Sequence, residues 1–152
     1  MRARQRHPDA NPDVPLRLSP LDNGILSALV WACRRRNLFY YPRMLSRYSN
    51  VDSMACLWVG VEEIKRFAIA LFKLCRLCDD ASACEDETLV LSDLQFPVPD
   101  GNYLWEAESN EVLAKRLAEG GDRGATRDSG LEENWISNRG FCVLSEGDFG
   151  FD

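Results

Sequence analysis

The chain has 152 residues, 45% of them hydrophobic and 28% charged, with a net charge of −6. That length fits one domain and that composition is globular. No apolar run approaches the ~20 residues needed to cross a bilayer as a helix.

The charge is unevenly spread. Residues 1–78 hold 13 basic and 6 acidic side chains, 79–111 hold 10 acidic and no basic ones, and 112–152 hold 5 basic and 8 acidic. Such asymmetry marks an interaction surface or, more simply, an acidic loop lying over the basic half of the same domain. The six cysteines are Cys33, Cys56, Cys75, Cys78, Cys84 and Cys142. The chain opens MRARQRHPDANPDVP, basic and then proline-rich, without the apolar core of a secretory signal. Reduced thiols in an intracellular compartment are the expectation.

Residues 1–20 carry four prolines and four arginines and read as a disordered arm or linker. The spacing predicts a first helix over 21–36, with Ile25, Leu26, Leu29, Val30 and Cys33 as its apolar stripe. Asp22 or Asn23 caps its start, and Arg34, Arg35 and Arg36 complement the dipole at its end. Asn37 tolerates the left-handed conformation that closes helices. Tyr41 precedes Pro42 and so reads as extended, with a short helix over 43–48.

Residues 57–78 form the predicted central helix. Leu57, Val61, Ile64, Ala68, Leu71, Cys75 and Cys78 repeat at the three-and-four spacing of one face. Phe67, Ala70, Leu74 and Leu77 widen that face, and Ile69 and Phe72 carry apolar surface further round. Phe67, Leu71 and Leu74 are the expected core residues. Asn50, Asp52 and Ser53 are its candidate caps, and Glu62 precedes Arg66 by four in the favourable order for a helical ion pair.

After the central helix, Ser82 and Glu85 have capping-box spacing with no periodic run behind them. Leu89, Val90 and Leu91 are a short apolar run, a buried loop or a brief strand. Pro97 and Pro99 forbid helix, Asp100-Gly101 signals a turn, and Phe96, Leu104 and Trp105 supply anchors for the loop. Ser109 caps a last helix over 110–119, with Val112, Leu113, Arg116 and Leu117 on one side and Gly120-Gly121 stopping it. Residues 118–152 read as a flexible glycine-rich tail containing a short helix at 131–136.

The fold class expected is all-α: an irregular helical bundle over 21–117 with a long proline-containing acidic loop and disordered termini. No catalytic, cofactor-binding or metal-binding residue is assigned. The single histidine, His7, falls in the arm, and no GxSxG, phosphate-binding glycine loop or HExxH occurs. Cys75-x-x-Cys78 with Cys84 is half a metal site without a second pair. A small thiol- or metal-dependent protein using those three cysteines is the alternative from another class.

Three pieces resemble the fungal-specific transcription factor domain, the regulatory domain of fungal zinc-cluster and some zinc-finger transcription factors. The first is Ala32-Cys33-Arg34-Arg35-Arg36-Asn37-Leu38-Phe39. The second is Trp58-x-x-x-Glu62-Glu63-x-Lys65-Arg66-x-Ala68. The third, the most specific, is Asp93-Leu94-x-Phe96-Pro97-x-Pro99-Asp100, followed by Leu104-Trp105-x-Ala107-x-Ser109-x-Glu111. The resemblance covers about 21–117. It implies a nuclear, non-enzymatic regulatory domain that works through protein partners, either transcription machinery or self-association. DNA is then reached only through a separate zinc-containing module, with no family zinc ligand carried over to this chain. A free-standing adaptor that lost its DNA-binding module is the related alternative.

Overall fold

The computed structural model describes residues 17–78, 88–120, 132–140 and 144. Their secondary structure is helical, and no strand forms among them. Helix α1 spans Pro20–Arg35. Its cap is Ser19, whose hydroxyl accepts from the Asp22 amide at 3.2 Å, with Pro20 in the first turn, rather than Asp22 or Asn23. The helix closes at Asn37, which has φ 53°. The Leu38 and Asn37 amides return to the carbonyls of Cys33 and Arg34 at 3.1 and 2.9 Å, a Schellman closure.

Helix α2 spans Tyr41–Ser46, two residues earlier than the predicted start. Tyr40, not Tyr41, is the extended residue before it. Helix α3 spans Met54–Leu77 and is capped by Ser53, which accepts from the Cys56 amide. Gly60 is where the segment after α2 crosses α3: a Cβ there would stand 2.2 Å from the Tyr48 ring.

The stretch after α3 is a buried loop. Leu89, Leu94 and Phe96 are fully buried, and a 3₁₀ turn at Leu91–Asp93 separates the first from the other two. Arg34 holds this stretch down, donating to the Thr88 carbonyl and to Asp93 Oδ2, each at 2.7 Å. Gln95 donates to the Phe39 carbonyl at 2.9 Å and accepts from the Tyr41 amide at 3.0 Å, so the loop runs alongside the α1–α2 connection. Here an acidic-loop residue does lie over the basic half of the chain. Helix α4, Asn102–Trp105, and helix α5, Asn110–Gly120, follow. Ser109 caps α5 by accepting from the Val112 amide at 3.2 Å.

Two corrections concern burial. On α3, Leu71 is buried, but Phe67 and Leu74 are 43% and 41% exposed. The rest of the predicted stripe is buried at Val61, Ala68, Leu71 and Cys75, and the buried side extends from it toward Trp58, Glu62, Lys65, Ile69 and Phe72, away from Phe67 and Leu74. Apolar spacing left the two edges of the stripe equivalent, and the loop ending at Asp100 meets the edge opposite Phe67 and Leu74. The other correction is the tail. Residues 132–140 dock on the core, through a 3₁₀ turn at Glu132–Asn134 and helix α6, Ile136–Arg139. Ile136 is fully buried, and the amides of Ile136 and Ser137 donate to the carbonyls of Phe96 and Leu94 at 2.8 and 3.0 Å. Trp135 and Leu144 are buried as well. Burying such large apolar side chains gives each about 1.5–3 kcal/mol, enough to order a segment flanked by glycines. Residues 121–131, 141–143 and 145–152 of the tail, the arm at 1–16 and residues 79–87 lie outside the described residues.

The core has two parts. The larger joins α1, α3, the buried loop and α6 around Val30, Ala68, Ile69, Phe72, Leu94 and Phe96. The smaller joins the start of α3 to α4 and α5 around Ala55, Trp58 and Leu113.

Candidate functional site

Trp58, Glu62 and Arg66 stand at successive turns of α3, and all three reach toward one segment, the proline-bracketed loop ending at Asp100. Pro97 and Pro99 keep that loop out of helix, and the Asp100 amide and carbonyl bond α3 instead. Asp100 is the meeting point. Its amide donates to Glu62 Oε2 at 2.8 Å, its Oδ2 accepts from the Trp58 indole at 2.7 Å, and its carbonyl accepts from Arg66 at 3.0 Å. Three contacts from one helix to one residue fix the loop's register.

Glu62 and Lys65 are 1% and 4% exposed, and Lys65 Nζ donates to Glu62 Oε1 at 2.5 Å. The expected partner, Arg66, is engaged with Asp100 and its guanidinium lies 5.0 Å from the Trp105 ring. Trp105 in turn packs on Trp58, with centroids 4.9 Å apart. The Lys65 ammonium sits 5.4 Å from the Tyr41 ring, a cation–π contact in a desolvated place. Burial pushes the Glu62 carboxyl above its ordinary range; Lys65 pulls it back, and the Asp100 charge pushes it up again. A carboxylate and an ammonium removed from water are stable only when both are bonded, as here.

Beside this pair lies a cleft of about 430 Å³ between α2, α3 and α5. Leu45, Leu57, Val61 and Leu117 contribute apolar wall, and Glu62, Lys65 and Asp100 also line it. A mostly apolar cleft with a few convergent polar groups has the make-up of a small-molecule pocket.

No catalytic or metal residue was predicted, and the cysteines of the rival reading are placed as follows. Cys75 is 1% exposed in the larger core, and Cys78 closes α3 with its thiol pushed up by burial, the reverse of an activated thiolate. Cys84 and His7 lie outside the described residues. Among the described residues no group of three or more histidine, cysteine or acidic side chains is placed to hold a metal ion. No described helix is long and apolar enough to cross a membrane.

The second and third pieces quoted for the resemblance meet at Asp100 and Trp105. The buried Glu62–Lys65 pair and the cleft beside it were missed. The signal available was a glutamate and a lysine three apart amid apolar neighbours, opposite a tryptophan one turn earlier. Comparisons with protein-family models, with curated proteins and with solved structures find no match for this chain.

Proposed function

We propose that this chain is a regulatory and interaction domain of a fungal transcription factor, nuclear and without enzymatic activity, with DNA reached only through a separate module. The observation that carries the reading is that two of the three pieces behind the resemblance form one bonded unit: Trp58, Glu62 and Arg66 on one side, Asp100 and Trp105 on the other. A family pattern that holds a loop against a helix has a physical reason to occur as a set.

Exposed apolar surface supports the interaction role. Leu21, Ile25 and Leu29 repeat every fourth residue on α1 and are 40–73% exposed, with Trp31 nearby in the sequence at 60%. Phe67, Leu74 and Leu77 are exposed on α3. Apolar side chains concentrated in this way are typical of protein contacts rather than of a free surface. The positive charges expected at the end of α1 have structural employment: Arg34 bonds Asp93, and the Arg35 guanidinium lies 5.2 Å from the Trp31 ring. DNA recognition needs a basic surface and an element presenting side chains to base edges, and a net charge of −6 does not favour it.

The test is to join the chain to a foreign DNA-binding module and measure reporter transcription. Altered transcription, reduced by Trp105→Ala through release of the loop, is the expected result. A tethered chain without effect, or a gel shift by the untethered chain that selects one sequence at physiological salt, overturns the reading.

A further inference from the structure

The hydrogen-bonding inventory of the cleft says what kind of molecule it suits. Lys65 has three N–H donors. One goes to Glu62 Oε1, and one side of the ammonium faces the Tyr41 ring. The remaining donor capacity has no partner among the described residues, although the side chain is only 5% exposed and lines the cleft. Glu62 is in the opposite condition, with both oxygens accepting. Asp100 has one spare acceptor: Oδ2 takes the Trp58 indole and Oδ1 takes no donor among the described residues. The cleft therefore presents a buried ammonium with donor capacity to spare and, at the part-exposed Asp100, a carboxylate oxygen open to a donor.

Charge narrows the choice. Two carboxylates and one ammonium line the space. An anionic head group meets net repulsion, and an alkylammonium meets Lys65. A neutral group that both donates and accepts, such as a hydroxyl or a primary amide, satisfies Lys65 and Asp100 together. Leaving a buried polar group unmatched costs more than an average hydrogen bond returns, so such a head is selected over a plain hydrocarbon.

The geometry points to a binding site for a small neutral amphiphile, its hydroxyl or amide head on Lys65 and Asp100 and its apolar body along Leu57, Val61 and Leu117. This site stands apart from the transcriptional reading, because binding is measured on the free chain and the reporter on the tethered one. Ligand occupancy would tie α2, α3 and α5 together, since all three line the cleft.

The probes are decanol, decanoate, decylamine and decane, added to the purified full chain and followed by saturation-transfer NMR and by tryptophan fluorescence. Decanol is expected to bind saturably, about tenfold more tightly than decanoate or decylamine and more tightly than decane, the factor a single buried polar contact supplies. Ala118→Trp, at an exposed rim position, should block decanol while leaving the circular dichroism spectrum and thermal midpoint unchanged. No saturable binding of any probe overturns the proposal. So does decanol binding that Ala118→Trp leaves intact, or decanoate binding more tightly than decanol.

Discussion

The two halves of α3 face different surroundings. From Ala68 to Cys75 the buried side is dry: Ala68, Ile69, Leu71, Phe72 and Cys75 pack on other apolar side chains. From Trp58 to Arg66 the same helix buries a charged pair and bonds a loop through Asp100. The dry half gains free energy with every methylene removed from water. The polar half has no such margin, since a buried ion pair is roughly balanced between attraction and desolvation. What it gains is a fixed loop register and a cleft with polar groups in it. Apolar packing dominates one half of the helix and polar fastening of a loop the other.

The largest effects should come from breaking each half at its centre. In the dry half, Phe96→Ala removes a fully buried ring and should cost about 3–5 kcal/mol in chemical denaturation. In the polar half, Lys65→Met leaves Glu62 buried beside Asp100 and should cost a similar ~3–5 kcal/mol at neutral pH. Only the second loss should depend on pH. Glu62 is a raised acid, so its contribution is present in full below its unfolded pKa and is lost as pH rises through its folded one. Removing Lys65 removes a cause that lowers that pKa and pushes it higher still. The gap between Lys65→Met and the parent chain is therefore widest at neutral pH and narrows toward acid, while the Phe96→Ala gap does not follow Glu62. Urea midpoints across that range distinguish the two.

That difference was only half legible in the sequence. The helices were, because apolar periodicity and capping residues such as Ser53, Asn37 and Ser109 act locally. The stripe through Val61, Ala68, Leu71 and Cys75 was legible too, but which of its two edges is buried was not. Phe67 and Leu74 carry the spacing of a core face, yet they stay exposed because the loop ending at Asp100 meets the opposite edge. Glu62 reads as the partner of Arg66 four residues on, so its burial with Lys65 was not visible, and Asp100, which meets it, comes from far along the chain. The docking of Ile136 was hidden by the glycines around it. Of the candidate site, Trp58, Asp100 and Trp105 stood out by pattern, but the cleft exists only once α2 and α5 flank α3.

A pair of leucines sharpens the comparison within one helix. Leu71→Ala should cost about 2–5 kcal/mol, because Leu71 is 4% exposed. Leu74→Ala, three residues on and 41% exposed, should cost no more than about 1 kcal/mol. Equal losses would mean that the dry face is misplaced. Gly60→Ala should fall between them, at about 1–3 kcal/mol, since the Tyr48 ring must move aside for the new methyl group. Repeating it in a Tyr48→Ala background should remove most of that loss.

The measurement that bears most directly on the polar half is a double-mutant cycle on Glu62 and Lys65, read by urea denaturation at neutral pH. Lys65→Met alone should be strongly destabilising, and adding Glu62→Gln should recover at least about 1 kcal/mol, because the amide keeps the Asp100 bond without an unpaired charge. Two losses that simply add would contradict the account, since they would mean that Glu62 and Lys65 are not a buried, mutually dependent pair.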